Sequence, residues 1–304
     1  METFKYTSFF IIINMVEIKI ISLINMKGGV GKTTLSVNLA IALAKYHNKK
    51  VLLIDNDPQF NTTQSVMSIQ DYFKHVQDPK KCTILDIYRE RLTTGPSIVN
   101  GKNKVEVPTP SLSNCTIRIR NYSGSHVDLL PATLDLMELD RPQLGDENKL
   151  SFFIGDIKRA YDFIIIDCPP TMSLFTLSAY IASDAFIIPI KPDHLSSIGI
   201  SLLDRAILRY QKTSRKNVIS LGVIFTLVKQ HPSTDAVMLS LKQTGRYCFS
   251  EHIKQGVNAA KAVGELKALF EFNASKRPQG EQIKSITSEL LKRITEIKKK
   301  GDKK

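Results

Sequence analysis

The stretch KIISLINMKGGVGKTTLSVNLAIALAKY, Lys19–Tyr46, decides how this chain is read. It passes from a β-branched apolar run, through a glycine cluster, into residues with helical spacing. Gly28, Gly29 and Gly31 can adopt backbone angles that turn successive N–H groups inward, which makes a nest for phosphate oxygens. A helix beginning near Lys32 brings the positive end of its dipole to the same spot. Lys32 then supplies a point charge for the β- and γ-phosphates of a nucleotide, and Thr33 a hydroxyl ligand for Mg²⁺. Val30 and Thr34 complete the loop around the phosphates. The usual G-x-x-x-x-G-K-[ST] spacing places a glycine at position 26, where this chain has Met26, so the loop is a variant. One phosphate cradle needs one lysine, and this loop has two, Lys27 and Lys32.

Outward from the loop, short apolar runs alternate with helical patterns. Strands are expected at Lys19–Asn25, Val51–Asp55, Val127–Leu130, Phe163–Asp167, Ala185–Ile190 and Leu221–Thr226. Most are apolar on both faces, as in a sheet covered by helices on either side. Helices are expected at Lys32–His47, Ser173–Ala182, Ser196–Lys212, Asp235–Gly245, Gly256–Phe270 and Glu281–Lys298. The alternation implies a doubly wound α/β fold of the P-loop NTPase type, with a mostly parallel sheet. Residues 15–298 read as one domain. Residues 1–14 form an N-terminal extension whose true start is expected at Met15. The Gly-, Pro-, Ser- and Thr-rich segment 96–125 reads as an exposed insertion, and residues 299–304 as a basic tail. The run Phe9–Ile13 is too short to span a bilayer, and no stretch approaches the roughly 20 apolar residues a membrane helix needs.

Two further segments carry carboxylates at the ends of buried strands. VLLIDNDPQFNTT, Val51–Thr63, presents Asp55 and Asp57 at a strand's carboxyl end, where ligands gather in open α/β sheets. YDFIIIDCPP, Tyr161–Pro170, ends a second strand in Asp167.

With these three motifs in place, KGGVGKTT resembles the deviant Walker A motif of the ParA/MinD family of partition and positioning ATPases. The resemblance extends over residues 15–298, through VDLLPATLDL, DAFIIPIKPDHLSSIGISLL and LGVIFTLVKQ. It implies that ATP is sandwiched between two subunits and that Lys27 reaches across to the partner's nucleotide, completing the site made by Gly28, Gly29, Val30, Gly31, Lys32, Thr33 and Thr34. By the same resemblance Asp57 positions or activates the attacking water, and Thr33, Asp55 and Asp167 serve the Mg²⁺ shell. Departures are visible too. Ile253-Lys254-Gln255 stands where relatives commonly read I-P-R, Phe60 replaces a frequent glycine, and Ser178 a frequent asparagine.

The formal charge of +13 is unevenly spread. Residues 1–190 hold 20 Lys and Arg against 19 Asp and Glu, whereas residues 191–304 hold 22 against 10. A basic excess confined to one part of a chain suggests a polyanion partner. Arg205, Arg209, Lys212 and Lys216 recur at helical spacing as one stripe, and Lys242 and Arg246 repeat it on the next helix. Together with Lys254 these residues suit contacts to the phosphate backbone of double-stranded DNA without sequence preference. The family resemblance adds a ParB-like centromere-binding partner, a cytoplasmic, nucleoid-associated location, and no stable membrane association. The alternative within the family is a MinD-like positioning ATPase, for which the apolar stripe Ile283, Ile286, Leu290, Ile294 and Ile297 would be a membrane-facing helix. An electron-transfer relative such as the nitrogenase iron protein would need paired cysteines. The four here, Cys82, Cys115, Cys168 and Cys248, show no C-x-x-C spacing. A scaffold that does not hydrolyse nucleotide is the remaining class.

Overall fold

The computed structural model describes residues 17–89, 108–139, 143–194, 196–256, 264–271 and 278–301. Seven strands form one sheet: β1 (Ile20–Leu23), β2 (Lys50–Asp55), β3 (Ile117–Tyr122), β4 (Ser125–Leu130), β5 (Phe163–Asp167), β6 (Ala185–Ile190) and β7 (Ile219–Phe225). Their order is β3-β4-β2-β5-β1-β6-β7. All pairs are parallel except β3 with β4 at the edge. The named helices are α1 (Lys32–His47), α2 (Asn61–Val66), α3 (Ile69–Gln77), α4 (Ile84–Tyr88), α5 (Leu112–Cys115), α6 (Asp146–Ile157), α7 (Leu174–Ala182), α8 (Ser196–Ser214), α9 (Pro232–Gln243) and α10 (Pro278–Gly301).

The central strands are buried on both faces because each face has its own apolar layer. Successive side chains alternate across a strand. Ile164 and Ile166 therefore enter the core beneath α4, α6, α7 and α8, while Ile165 enters the core beneath α1 and α10. α1 is apolar nearly all round, which suits a helix pressed between the sheet and α10. Ile283, Ile286 and Leu290 of α10 are fully buried in that layer, with Ile294 close behind. The C-terminal apolar stripe is thus docked on the protein's own core. No helix among the described residues is long and apolar enough to cross a membrane.

The adjacency of β2, β5 and β1 positions the site. Leu23 pairs with Asp167, and Asp55 pairs with Asp167 from the other side. The loops that leave these three strands at their carboxyl ends are the glycine loop, the Asp57 segment and the Asp167 segment. Motifs far apart in sequence therefore meet where open α/β sheets bind ligands.

Three expectations are corrected. The segment 96–125, read as an exposed insertion, contains α5, whose Cys115 is buried, and the antiparallel edge strand β3; residues 96–107 lie outside the described residues. β3 was hidden because its residues, IRIRNY, are polar at alternate positions and flanked by turn formers, as an edge strand can be. The helix expected at Gly256–Phe270 does not run to that end, since Leu269–Glu271 is a 3₁₀ turn and residues 257–263 lie outside the described residues. Helices α2, α3, α4 and α6 lie in segments where no helix is expected. Residues 1–16 and 302–304, with the expected extension and most of the tail, lie outside the described residues.

Candidate active site

The glycine loop between β1 and α1 has the expected backbone. Gly29 and Gly31 sit at φ 68° and 79°, in the left-handed region that residues carrying a Cβ avoid. A side chain on Gly31 would also meet Thr226 at 3.6 Å. Thr226 donates its hydroxyl to the Val30 carbonyl at 2.5 Å, so the end of β7 steadies the loop from behind. The loop, together with Asp57, Gln59, Asn61, Gln64, Ser65 and Pro170, lines a cavity of about 420 Å³.

The two lysines of the loop face different ways. Lys32 is buried, and its Nζ lies 3.3 Å from the Lys27 carbonyl. Desolvation lowers its pKa, and the nearby Asp167 carboxylate is the chief influence opposing that shift. Lys27 turns away and forms an ion pair with Asp193, in the turn between β6 and α8, with both side chains about one-third exposed at 32% and 31%. Asp193 is fixed in turn by Ser196, whose hydroxyl accepts from the Asp193 N–H at 3.0 Å.

Asp167 is fully buried and joins the site through Thr33, which lines the cavity. Its Oδ2 accepts 2.7 Å hydrogen bonds from the hydroxyls of Thr33 and Thr62. Its Oδ1 is buried with no hydrogen-bond partner among the described residues. Burial raises its pKa, and the two threonine hydroxyls work against that rise. An orphaned carboxylate oxygen beside a threonine hydroxyl, at the mouth of a phosphate nest, fits a hydrated Mg²⁺ in its donor chemistry. No group of three or more His, Cys, Asp or Glu suited to a metal occurs among the described residues, so the remaining ligands would be nucleotide oxygens and water.

Asp55 and Asp57 have different surroundings. Asp55 is fully buried, and its Oδ2 is taken up by the backbone N–H and the hydroxyl of Thr63, both at 2.7 Å. Burial, reinforced by the Asp167 charge, pushes its pKa up to about 8. Its carboxylate thus ties β2 to α2; like Asp167 it does not line the cavity, whereas Asp57 does. Asp57 opens a β-turn: its carbonyl accepts from the Phe60 N–H at 2.8 Å, and its Oδ1 from the Gln59 N–H at 2.9 Å. Burial raises its pKa, and Lys32 opposes this.

Thr62 is the site residue the sequence reading missed. It sits next to the Asn61 and Thr63 of a recognised segment, and only the structure shows which of the adjacent threonines faces Asp167. The buried Asn56 side chain, between Asp55 and Asp57, turns to the core: it donates to the Phe175 carbonyl at 2.7 Å and accepts from the Tyr88 hydroxyl at 2.9 Å. Tyr88 also reaches Ser178, the residue that departs from the usual asparagine, at 2.9 Å.

The basic residues divide. Arg205, Arg209 and Lys212 on α8 and Lys242 on α9 are exposed, while Leu203, Ile207 and Tyr210 pack inward as their spacing predicts. Lys216 instead folds back to donate to the Ile181 carbonyl at 2.6 Å, and burial lowers its pKa. Arg246 is ion-paired with Asp204 across α8 and α9. Lys254 is half-buried, and its backbone bridges Val228 beside β7. Of the seven basic residues expected to meet DNA, four are exposed: Arg205, Arg209, Lys212 and Lys242.

The family model AAA_31, described as an AAA domain, matches residues 18–220. The sporulation initiation inhibitor protein Soj of Bacillus subtilis is 34% identical over 213 residues, covering 69% of this chain and 73% of Soj. The chromosome partitioning protein ParA of Caulobacter vibrioides is 28% identical over 222 residues, covering 71% and 72%. A putative plasmid partition protein of Borrelia burgdorferi, solved with AMPPNP, superposes with a TM-score of 0.67 at 22% identity, covering 91% of this chain and 99% of that one. The last establishes a shared fold. The matched glycine loop, strand-end aspartates and sheet order, together with the Soj likeness, show that this chain belongs to the ParA/Soj family of partition ATPases.

Proposed function

We propose that this chain is an ATP-hydrolysing partition protein, and that two copies clamp two ATP molecules between their glycine loops. The observation that carries the reading is the division of labour between the two lysines. Lys32 is buried within its own cradle, whereas Lys27 points outward from it and remains partly exposed. A second cation aimed away from the cradle can stabilise charge on a nucleotide held by a facing copy, and so acts only when two loaded subunits meet.

Within each subunit the inward N–H groups of Gly28–Gly31 and the Lys32 ammonium bind the phosphates. Asp57, which lines the same cavity, orients the attacking water. Thr33 and Asp167 would hold Mg²⁺, which would offset the negative charge of the phosphate oxygens. Asp55 acts one step removed, by fixing the start of α2 so that Thr62 keeps its hydroxyl on Asp167. A Mycobacterium smegmatis cobyrinic acid a,c-diamide synthase of the same fold was solved with ADP and magnesium, which supports the pairing of nucleotide and cation in this cleft.

The exposed cations of α8 and α9 suit contact with the phosphate backbone of nucleoid DNA. Two subunits joined by ATP pool these faces, so DNA affinity rises on assembly and falls on hydrolysis, which a ParB-like partner accelerates. The burial of the α10 stripe in the core favours DNA over a membrane as the surface engaged. Filter binding of random-sequence double-stranded DNA with ATP, with a slowly hydrolysed analogue and with ADP tests this. Tight binding is expected only in the first two states, and equal affinity in ATP and ADP would remove the switch.

A further inference from the structure

Phe60 occupies a place the backbone does not favour for it. The turn Asp57-Pro58-Gln59-Phe60 is closed by the 2.8 Å hydrogen bond from Phe60 N–H to the Asp57 carbonyl. Pro58 suits the second position of such a turn, and glycine is the preferred fourth residue. Phe60 stands there instead, left-handed at φ 42° and ψ 34°, and its carbonyl then accepts from Gln64 N–H at 3.1 Å as α2 begins. A left-handed residue with a bulky side chain persists only where its surroundings hold it.

The surroundings that hold Phe60 are visible. Its ring stacks on Tyr72 of α3, with centroids 5.5 Å apart and planes 22° from parallel, and it packs against the buried core. Tyr72 in turn meets Phe73 edge-on. α3 itself is firmly started, since the Ser68 hydroxyl accepts from Asp71 N–H at 3.1 Å. The ring pair therefore pins the end of the turn that begins at Asp57 to a capped helix. Rotation at Phe60 would swing both the Asp57 carboxylate and the Asn61 side chain, which line the same cavity.

We propose that Phe60 is a positioning residue for ATP hydrolysis: through its stack on Tyr72 it holds the 57–60 turn in the conformation that aims Asp57 at the attacking water. The inference rests on the role given to Asp57 above. It assigns the two rings no contact with nucleotide, so they act on turnover and leave nucleotide affinity alone.

The test uses the full chain and five substitutions, with single-turnover ATP hydrolysis and equilibrium binding of a fluorescent ATP analogue as readouts. Phe60→Gly relaxes the backbone but removes the ring, and Tyr72→Leu removes its platform; each is expected to slow hydrolysis about tenfold, as for small misplacements of a catalytic group. Nucleotide affinity stays within about twofold. Phe60→Tyr and Tyr72→Phe keep the stack and hydrolyse like the parent. The double substitution Phe60→Gly/Tyr72→Leu is no slower than Phe60→Gly alone, because the two act as one unit. Parental hydrolysis in Phe60→Gly, multiplicative losses in the double variant, or a parallel loss of nucleotide binding would each overturn the proposal. Asp57→Ala separates the layers. If it abolishes hydrolysis while Phe60→Gly hydrolyses like the parent, the positioning role fails alone; if hydrolysis survives it, the role of Asp57 fails and the positioning role with it.

Discussion

In the isolated chain Lys27 is ion-paired with Asp193, which is itself anchored at the start of α8 by Ser196. A lysine that must reach a neighbouring subunit's nucleotide has first to leave this carboxylate. The pair is partly exposed, so its net strength is modest, about 0.2–1 kcal/mol. Asp193→Asn is therefore expected to tighten ATP-dependent self-association by a few-fold, up to about fivefold. Sedimentation velocity across a protein dilution series with ATP reads this directly, and weaker association in the variant would contradict it.

The hydroxyl of Thr62 shares the Asp167 Oδ2 with Thr33. Removing it leaves a buried carboxylate with one donor fewer and freer to turn. Thr62→Val is expected to raise the Mg²⁺ concentration needed for half-maximal hydrolysis about 10-fold or more, as for other groups that orient a metal ligand. A magnesium titration of turnover at saturating ATP checks it; an unchanged requirement would place Thr62 outside the metal's support.

The Asp55 pKa, raised to about 8, makes the nucleotide-free chain pH-sensitive. Its folded-state pKa lies above its unfolded value, so the folded chain binds the proton more tightly. The resulting stability is present below about pH 4 and is lost as pH climbs to about 8. Burial raises Asp57 and Asp167 in the same sense. His47, His75 and His126 have lowered pKa values and add an opposing slope only on the acid side of their unfolded titration. Thermal melting without nucleotide should therefore show Tm falling by a few degrees between about pH 6.5 and 8.5, with Asp55→Asn flattening the fall. A Tm that rises over this window in the parent would refute the assignment.

Only some of the basic residues are free to meet DNA. Arg205→Ala, Arg209→Ala and Lys212→Ala are each expected to lower the slope of log affinity against log salt by about 0.9 per lost phosphate contact. Arg246→Ala acts differently, because its guanidinium is held by Asp204; it should lower Tm while leaving the salt slope nearly unchanged. Salt titrations of DNA binding in the ATP state distinguish the two groups.

Much of this architecture is legible in the chain itself. Strands buried on both faces betray themselves as apolar runs, and the glycine loop has a spacing that few other structures require. Asp55 and Asp167 are visible because each ends such a run. Contacts set by tertiary packing are harder to read. Nothing in the spacing of Arg205, Arg209, Lys212 and Lys216 reveals that the last bends back to the Ile181 carbonyl. Asp55 and Asp57 look equivalent in sequence, yet Thr63 takes the first while the second lines the cavity. α6 is a different case: Leu150, Phe153, Ile154 and Ile157 have helical spacing and are buried, and the signal lay in the sequence unused. β3 also alternates, as a strand with one covered face does, but it lies among turn formers that make its segment read as a loop.

The central claim is that Lys27 completes the site of a facing subunit. Sedimentation velocity of the Lys27→Ala chain with ATP, paired with its hydrolysis rate, tests this most directly. The account predicts a monomer that binds ATP through Lys32 and hydrolyses it at no more than a background rate. A Lys27→Ala chain that dimerises and turns over ATP like the parent would contradict it.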